Sequence, residues 1–140
     1  MYILVDRITQ SMSDKTFVFS EAVNGKYIIE LYAGDYVMIE ETFTDVLLEY
    51  DSFVQKINTS FHEGDPRVLK SAIHKIKPLF GFVGLTDIQA RCVAFENACQ
   101  DAPSCEALTT EYGSLFEQLV GAKAIIQEEQ ARLVRFNLNT

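Results

Sequence analysis

From Ile39 onward, apolar residues return at every third or fourth position: Ile39, Phe43, Val46, Tyr50, Phe53, Ile57 and Phe61. Only an α-helix brings that spacing onto one face, and a stripe this long predicts a helix of about seven turns. One apolar stripe has to be buried against other elements, and the rest of the chain supplies them. Gly64 permits a turn with positive φ, Asp65 is a good N-cap and Pro66 suits a first helical turn. The segment His62–Pro66 therefore ends one helix and begins the next, and so short a connection makes the two antiparallel neighbours. Gly84 closes the second helix. Thr86-Asp87-Ile88-Gln89 reads as a capping box with Gln89 reaching back, and Ile88, Cys92, Phe95 and Cys99 give the third helix its stripe.

After a break at Asp101–Ser104, Leu108, Tyr112, Leu115, Leu119, Ala122, Ile126 and Leu133 form a last long stripe, with Arg132 and Arg135 near its negative dipole end. Ahead of the long helices, Asn24 is placed to cap a short one through Leu31, with Tyr27, Ile28 and Leu31 as its apolar face and Gly34 as its stop. Asp35 caps the helix that follows. The expected fold is all-α: an up-down antiparallel four-helix bundle with a short leading helix, one domain over residues 20–140. Residues 1–19 form an N-terminal extension. In it MYILVDRI and KTFVF, β-branched and aromatic, flank the turn-like TQSMSD, which suggests a short hairpin or an arm lying on the bundle.

With 140 residues, 48% of them hydrophobic, the chain can bury a real core. No apolar run approaches the length of a membrane span, and the N-terminus lacks the pattern of a secretory signal. Cys92, Cys99 and Cys105 are odd in number and lack metal-ligand spacing, which suits buried thiols in a reducing compartment; the cytoplasm is the expected location. A net charge of −8 argues against nucleic acid as a partner. Yet Pro66–Thr86 holds Arg67, Lys70, Lys75 and Lys77 and no acidic residue, a local basic face suited to one phosphoryl group or an acidic pocket.

That face carries a histidine. On a helical wheel of residues 65–85, Val68, Leu69, Ala72, Ile73, Ile76, Leu79, Phe80 and Val83 share an arc of about 140° almost opposite His74. Arg67, Lys70, Ser71, Lys77 and Gly81 fall on the histidine's side, so the imidazole is presented to solvent among basic side chains. His62, at a helix end, has no such setting. A bundle enzyme with a metal or ligand inside would need several inward Glu or His, and the core stripes are almost wholly apolar.

The run from His74 to Leu85, with Lys77, Gly81 and Gly84, resembles the active helix of histidine phosphotransfer (HPt) domains, and the order of the helices fits that family over residues 24–135. The resemblance implies a phosphocarrier of two-component phosphorelays, not an independent enzyme. His74 would accept a phosphoryl group from the aspartate of a response-regulator receiver domain, or of a hybrid sensor kinase, and pass it on. Lys77 would hold the phosphoryl oxygens. Lys70, Ser71, Pro78, Gly81 and an exposed Leu48 would meet the partner, with Gly81 leaving it room. The chain itself would need no cofactor, since Mg2+ would come with the receiver, and it would act as a monomer. One departure stands out: the family has glycine four residues after the histidine, followed by small residues, and this chain has Pro78-Leu79-Phe80. A proline there removes a helical hydrogen bond and adds bulk beside the nucleophile. The resulting alternative is a pseudo-HPt adaptor that binds a receiver or kinase through the same face without taking phosphate.

Overall fold

The computed structural model describes residues 15–139. Every regular element among them is helical: α1 (Gly25–Leu31), α2 (Tyr36–Glu63), α3 (Pro66–Phe82), α4 (Thr86–Asp101), a 3₁₀ turn (Glu106–Leu108) and α5 (Thr109–Leu138). The long helices close a ring in which α2 packs on α3 and α5, and α4 packs on the same two. This is the expected up-down bundle. The sequence stripes become its core: Ile39, Phe43, Tyr50 and Ile57 of α2, Leu69, Ile73, Ile76 and Phe80 of α3, and Leu119, Ile126 and Leu133 of α5 are all essentially inaccessible.

Helix ends follow local chemistry. Asn24 Oδ1 accepts the Tyr27 N–H at 3.1 Å, Asp35 Oδ1 that of Met38 at 3.0 Å, and Asp65 Oδ1 that of Arg67 at 2.9 Å. Between α2 and α3, Gly64 sits at φ +96°, the left-handed region open to glycine. Gly84, at φ +73°, also lets α1 approach: a Cβ there would stand 2.5 Å from Cγ1 of Ile28. The expected capping box is not formed. The N-cap of α4 is Leu85, which makes no side-chain cap bond, so Thr86 already lies inside the helix and Gln89 has no hydroxyl cap to reciprocate. On α1 only Ile28 is fully buried, while Tyr27 and Leu31 remain partly open.

The first part of the expected hairpin lies outside the described residues. Its second part, residues 15–19, is an extended arm and not a strand. Phe17 is buried, edge-on to Phe136 at 5.6 Å and beneath the Arg132 guanidinium, which sits 4.7 Å above its ring. Arg132 also donates to the Val18 carbonyl at 2.7 Å, and the Ser20 N–H donates to Glu129 Oε1 at 2.6 Å. Glu129, only 1% exposed, pairs with Arg132. The arm is thus fastened to the C-terminal half of α5 by one carboxylate and one guanidinium.

Cys92, Cys99 and Cys105 are free and buried. Burial pushes the Cys92 thiol up to about 12 and that of Cys99 to about 11, against 9.0 for an unperturbed thiol, and also raises Cys105. Above about pH 9 the unfolded chain releases thiol protons that the folded chain keeps. It then binds fewer protons than the native state, and stability falls as pH rises. The guanidinium midpoint is accordingly lower at about pH 10.5 than at about pH 8; equal midpoints would mean that the thiols ionise freely in the fold.

Candidate functional site

Helix α3 turns its apolar arc inward and holds His74 outward, its side chain 68% exposed. The neighbour on one flank is α4. From it Glu96, whose side chain is 11% exposed, brings Oε2 to 3.4 Å from His74 Nδ1. A carboxylate can only accept, so in a neutral ring this contact favours the tautomer with the proton on Nδ1 and the lone pair on Nε2. The other carboxylate oxygen, Oε1, is 3.0 Å from Lys77 Nζ. That distance makes an ion pair, although its direction falls short of a hydrogen bond.

His74, Glu96 and Lys77 therefore form one connected group on α3 and α4. Lys77, one turn beyond the histidine, lies on the same flank, but its side chain is only 22% exposed. Instead of standing free beside the imidazole, its ammonium is drawn against the α4 carboxylate. Lys70, one turn before His74, also leans to α4 and donates to Gln100 Oε1. The two cations expected to extend into solvent are both tethered to the adjacent helix.

The other expected positions divide. Ser71, Pro78 and Leu48 are exposed, Leu48 at 79%. Gly81 is not on the open face. It is buried, and a Cβ there would lie 2.9 Å from Nε2 of Gln89. Its missing side chain makes room for α4, not for an incoming protein. His62 is exposed, with its ring 5.4 Å from that of Phe61 and no carboxylate partner among the described residues. Glu96 was not singled out from the sequence. The signal was present as an acidic residue four positions after Cys92 and three before Cys99, inside the apolar stripe of α4.

Pro78 lies within α3, which continues through it to Phe82. It has no N–H to return to the carbonyl of His74, so that backbone acceptor is left to solvent on the exposed face. Replacing it restores the missing helical bond, offset in part by a looser unfolded chain. Pro78→Ala is expected to raise stability by about 2 kcal/mol in a denaturant titration, and a loss of stability would show that the ring is needed where it stands.

A protein-family model described as Hpt domain matches residues 41–125, the span from α2 to α5 that contains this site. No curated protein matches the chain. Among solved structures, the crystal structure of the HPT domain from the Hpt sensor hybrid histidine kinase of Shewanella superposes with a TM-score of 0.69 at 20% identity. The match covers 79% of this chain and 95% of that one, and at such identity it speaks for the fold. No helix among the described residues is long and apolar enough to cross a membrane.

Proposed function

Since the chain belongs to the Hpt domain family, we propose that its part in phosphorelay transfer is carried by His74, through Nε2. The observation that carries this reading is the exposed imidazole whose other nitrogen faces Glu96 at 3.4 Å. Phosphoryl transfer from an acyl phosphate asks for an unprotonated nitrogen and for donors near the phosphoryl oxygens. Nε2 attacks phosphorus, the bond from phosphorus to the aspartyl oxygen breaks, and the carboxylate leaves with its electron pair on the receiver. The Nδ1 proton stays on the ring, where Glu96 offsets the positive charge that develops. Lys77 lies one turn away on a flexible stem and can exchange part of its contact with Glu96 for the phosphoryl oxygens. The receiver contributes the divalent cation of the reaction. Partners of the Hpt family are receiver domains and kinases, and here a receiver is both the donor and the next acceptor.

The test is incubation with phosphorylated receiver domains from the same proteome. The expected product is an acid-labile, base-stable phosphohistidine, located at His74 by mass spectrometry. Binding without label from any receiver would sink the phosphocarrier reading and leave the adaptor, which Pro78 and the capture of Lys77 favour.

Glu96 acts here as a positioning residue. Glu96→Leu is expected to slow uptake by about one to two orders of magnitude through loss of the ring orientation. Glu96→Gln keeps an oxygen able to accept from Nδ1–H and stays nearer the wild type. Equal rates in both variants, with 15N shifts of the ring unchanged, would remove Glu96 from the mechanism.

A further inference from the structure

Helix α5 buries one side in the bundle and leaves the opposite side uncovered. Along that outer side Glu117, Gly121, Ala124, Glu128, Arg135 and Leu138 are all exposed. With the half-covered Ala131 they recur in steps of four and three, the spacing of one helix lying along another. Leu138 is 80% exposed, and Val120 at the edge of the row 55%. Gly113 belongs to the same face. A glycine inside a helix weakens it through backbone entropy. Yet at Gly113 and at Gly121 an added Cβ would meet nothing within 4 Å, and neither has a positive φ. No turn and no close approach within the described residues calls for them. Among those residues neither Glu117 nor Arg135 takes part in an ion pair. The two stand about five helical turns, or roughly 27 Å, apart on this one face.

We propose that this face pairs with the same face of a second copy, the two α5 helices antiparallel about a two-fold axis. In such a pair every contact occurs twice, so one register has to serve all the residues together. Charge sets that register. A parallel pair would stack Glu117 on Glu117 and Arg135 on Arg135, whereas an antiparallel one opposes Glu117 to Arg135 of the second copy at both ends. The same register seats the exposed Leu138 over Gly113 of the other chain and sets Gly121 against Ala131. Both glycines then have a use, since they let the two helix axes approach to the short end of the usual ~8–10 Å range. Glu128 falls beside the axis, against Ala124 and near its own copy, a like-charge approach that costs some affinity. In the ring of long helices α2 and α4 separate α5 from α3, so both copies keep His74 open. Likeness to HPt domains implies a chain acting singly; the proposed pair presents two histidines at once. The pairing does not depend on the phosphorelay reading.

One helix along one helix buries less than the roughly 1,200–2,000 Å² of a standard complex, so association is expected in the micromolar range. Sedimentation velocity and light scattering on the full chain, from about 5 to about 500 µM, are expected to show a monomer–dimer equilibrium. Glu117→Arg and Arg135→Glu each weaken it at least about tenfold. Exchanging both charges within one chain, Glu117→Arg/Arg135→Glu, restores it to within about threefold. Gly121→Leu also weakens it at least about tenfold. In the single chain that leucine enters open space and replaces a poor helix former, so the guanidinium midpoint rises while the dimer is lost. Glu128→Gln tightens the dimer by about threefold. A control reversal, Glu49→Arg on the side of α2 that faces α3, leaves it unchanged.

A chain that stays monomeric across that range would overturn the proposal, whatever is found for label at His74. A dimer that survives both Glu117→Arg and Gly121→Leu would overturn it too, and would put the contact on another face. Failure of the charge exchange to restore association, with the exchanged chain folded, would reject the antiparallel register and the proposal with it.

Discussion

His74→Gln is expected to abolish phosphoryl uptake, with a loss of more than about three orders of magnitude and no residual phosphohistidine. An amide nitrogen has no lone pair free to attack phosphorus, so the substitution removes the nucleophile itself and not merely its orientation. The side chain it replaces is mostly in solvent, and its polar contact among the described residues is a long one to Glu96. Stability should therefore change by no more than about 0.5 kcal/mol, and the loss of label can be read as chemistry. His62→Gln serves as the companion variant. That ring is also exposed but has no carboxylate partner among the described residues, and its loss should leave the label intact. Label surviving in His74→Gln and vanishing in His62→Gln would reverse the assignment.

The largest expected effect on stability lies far from the histidine. Glu129→Ala removes a carboxylate that is 1% exposed and that accepts from the Ser20 N–H while pairing with Arg132. Breaking a buried pair by deleting one partner leaves the other group without its counter-charge, at a cost of about 3 kcal/mol, and the arm loses its anchor as well. With Arg132 partly open to water, the effect should sit at the lower end of what a fully enclosed pair would show. For a chain of this length that corresponds to a fall in Tm of roughly 10 °C. Arg132→Ala, which also uncovers Phe17, should be strongly non-additive with it in a double-mutant cycle. Additive losses would mean that the two side chains hold the arm independently.

The long helices were legible because each is organised by a single apolar stripe, and the aspartates that cap α2 and α3 announce their starts. His74 was legible for the same reason, since it stands opposite the arc that has to be buried. The directions of Lys77 and Gly81 were not. A helical wheel gives the angle of a side chain about its own axis but not which neighbour stands at that angle. Helix α4 occupies the flank where both point, so the lysine meets Glu96 and the glycine lies under Gln89. Val68 shows the converse: an arc residue that lines an open groove between α2 and α3 and stays 45% exposed. Glu129 was illegible because one of its two partners, beside the nearby Arg132, is a backbone amide 109 residues away. Nothing in the periodicity of α5 marks an acid inside its stripe as satisfied.

The ion pair between Lys77 and Glu96 bears on what the resting surface attracts. An ammonium already matched by a carboxylate projects little field beyond itself, so the resting Lys77 adds little to the attraction of anions passing the imidazole. On the phosphocarrier reading proposed above, the full cation becomes available only when the lysine gives up its carboxylate, so loading of the histidine is tied to a partner held long enough for that exchange.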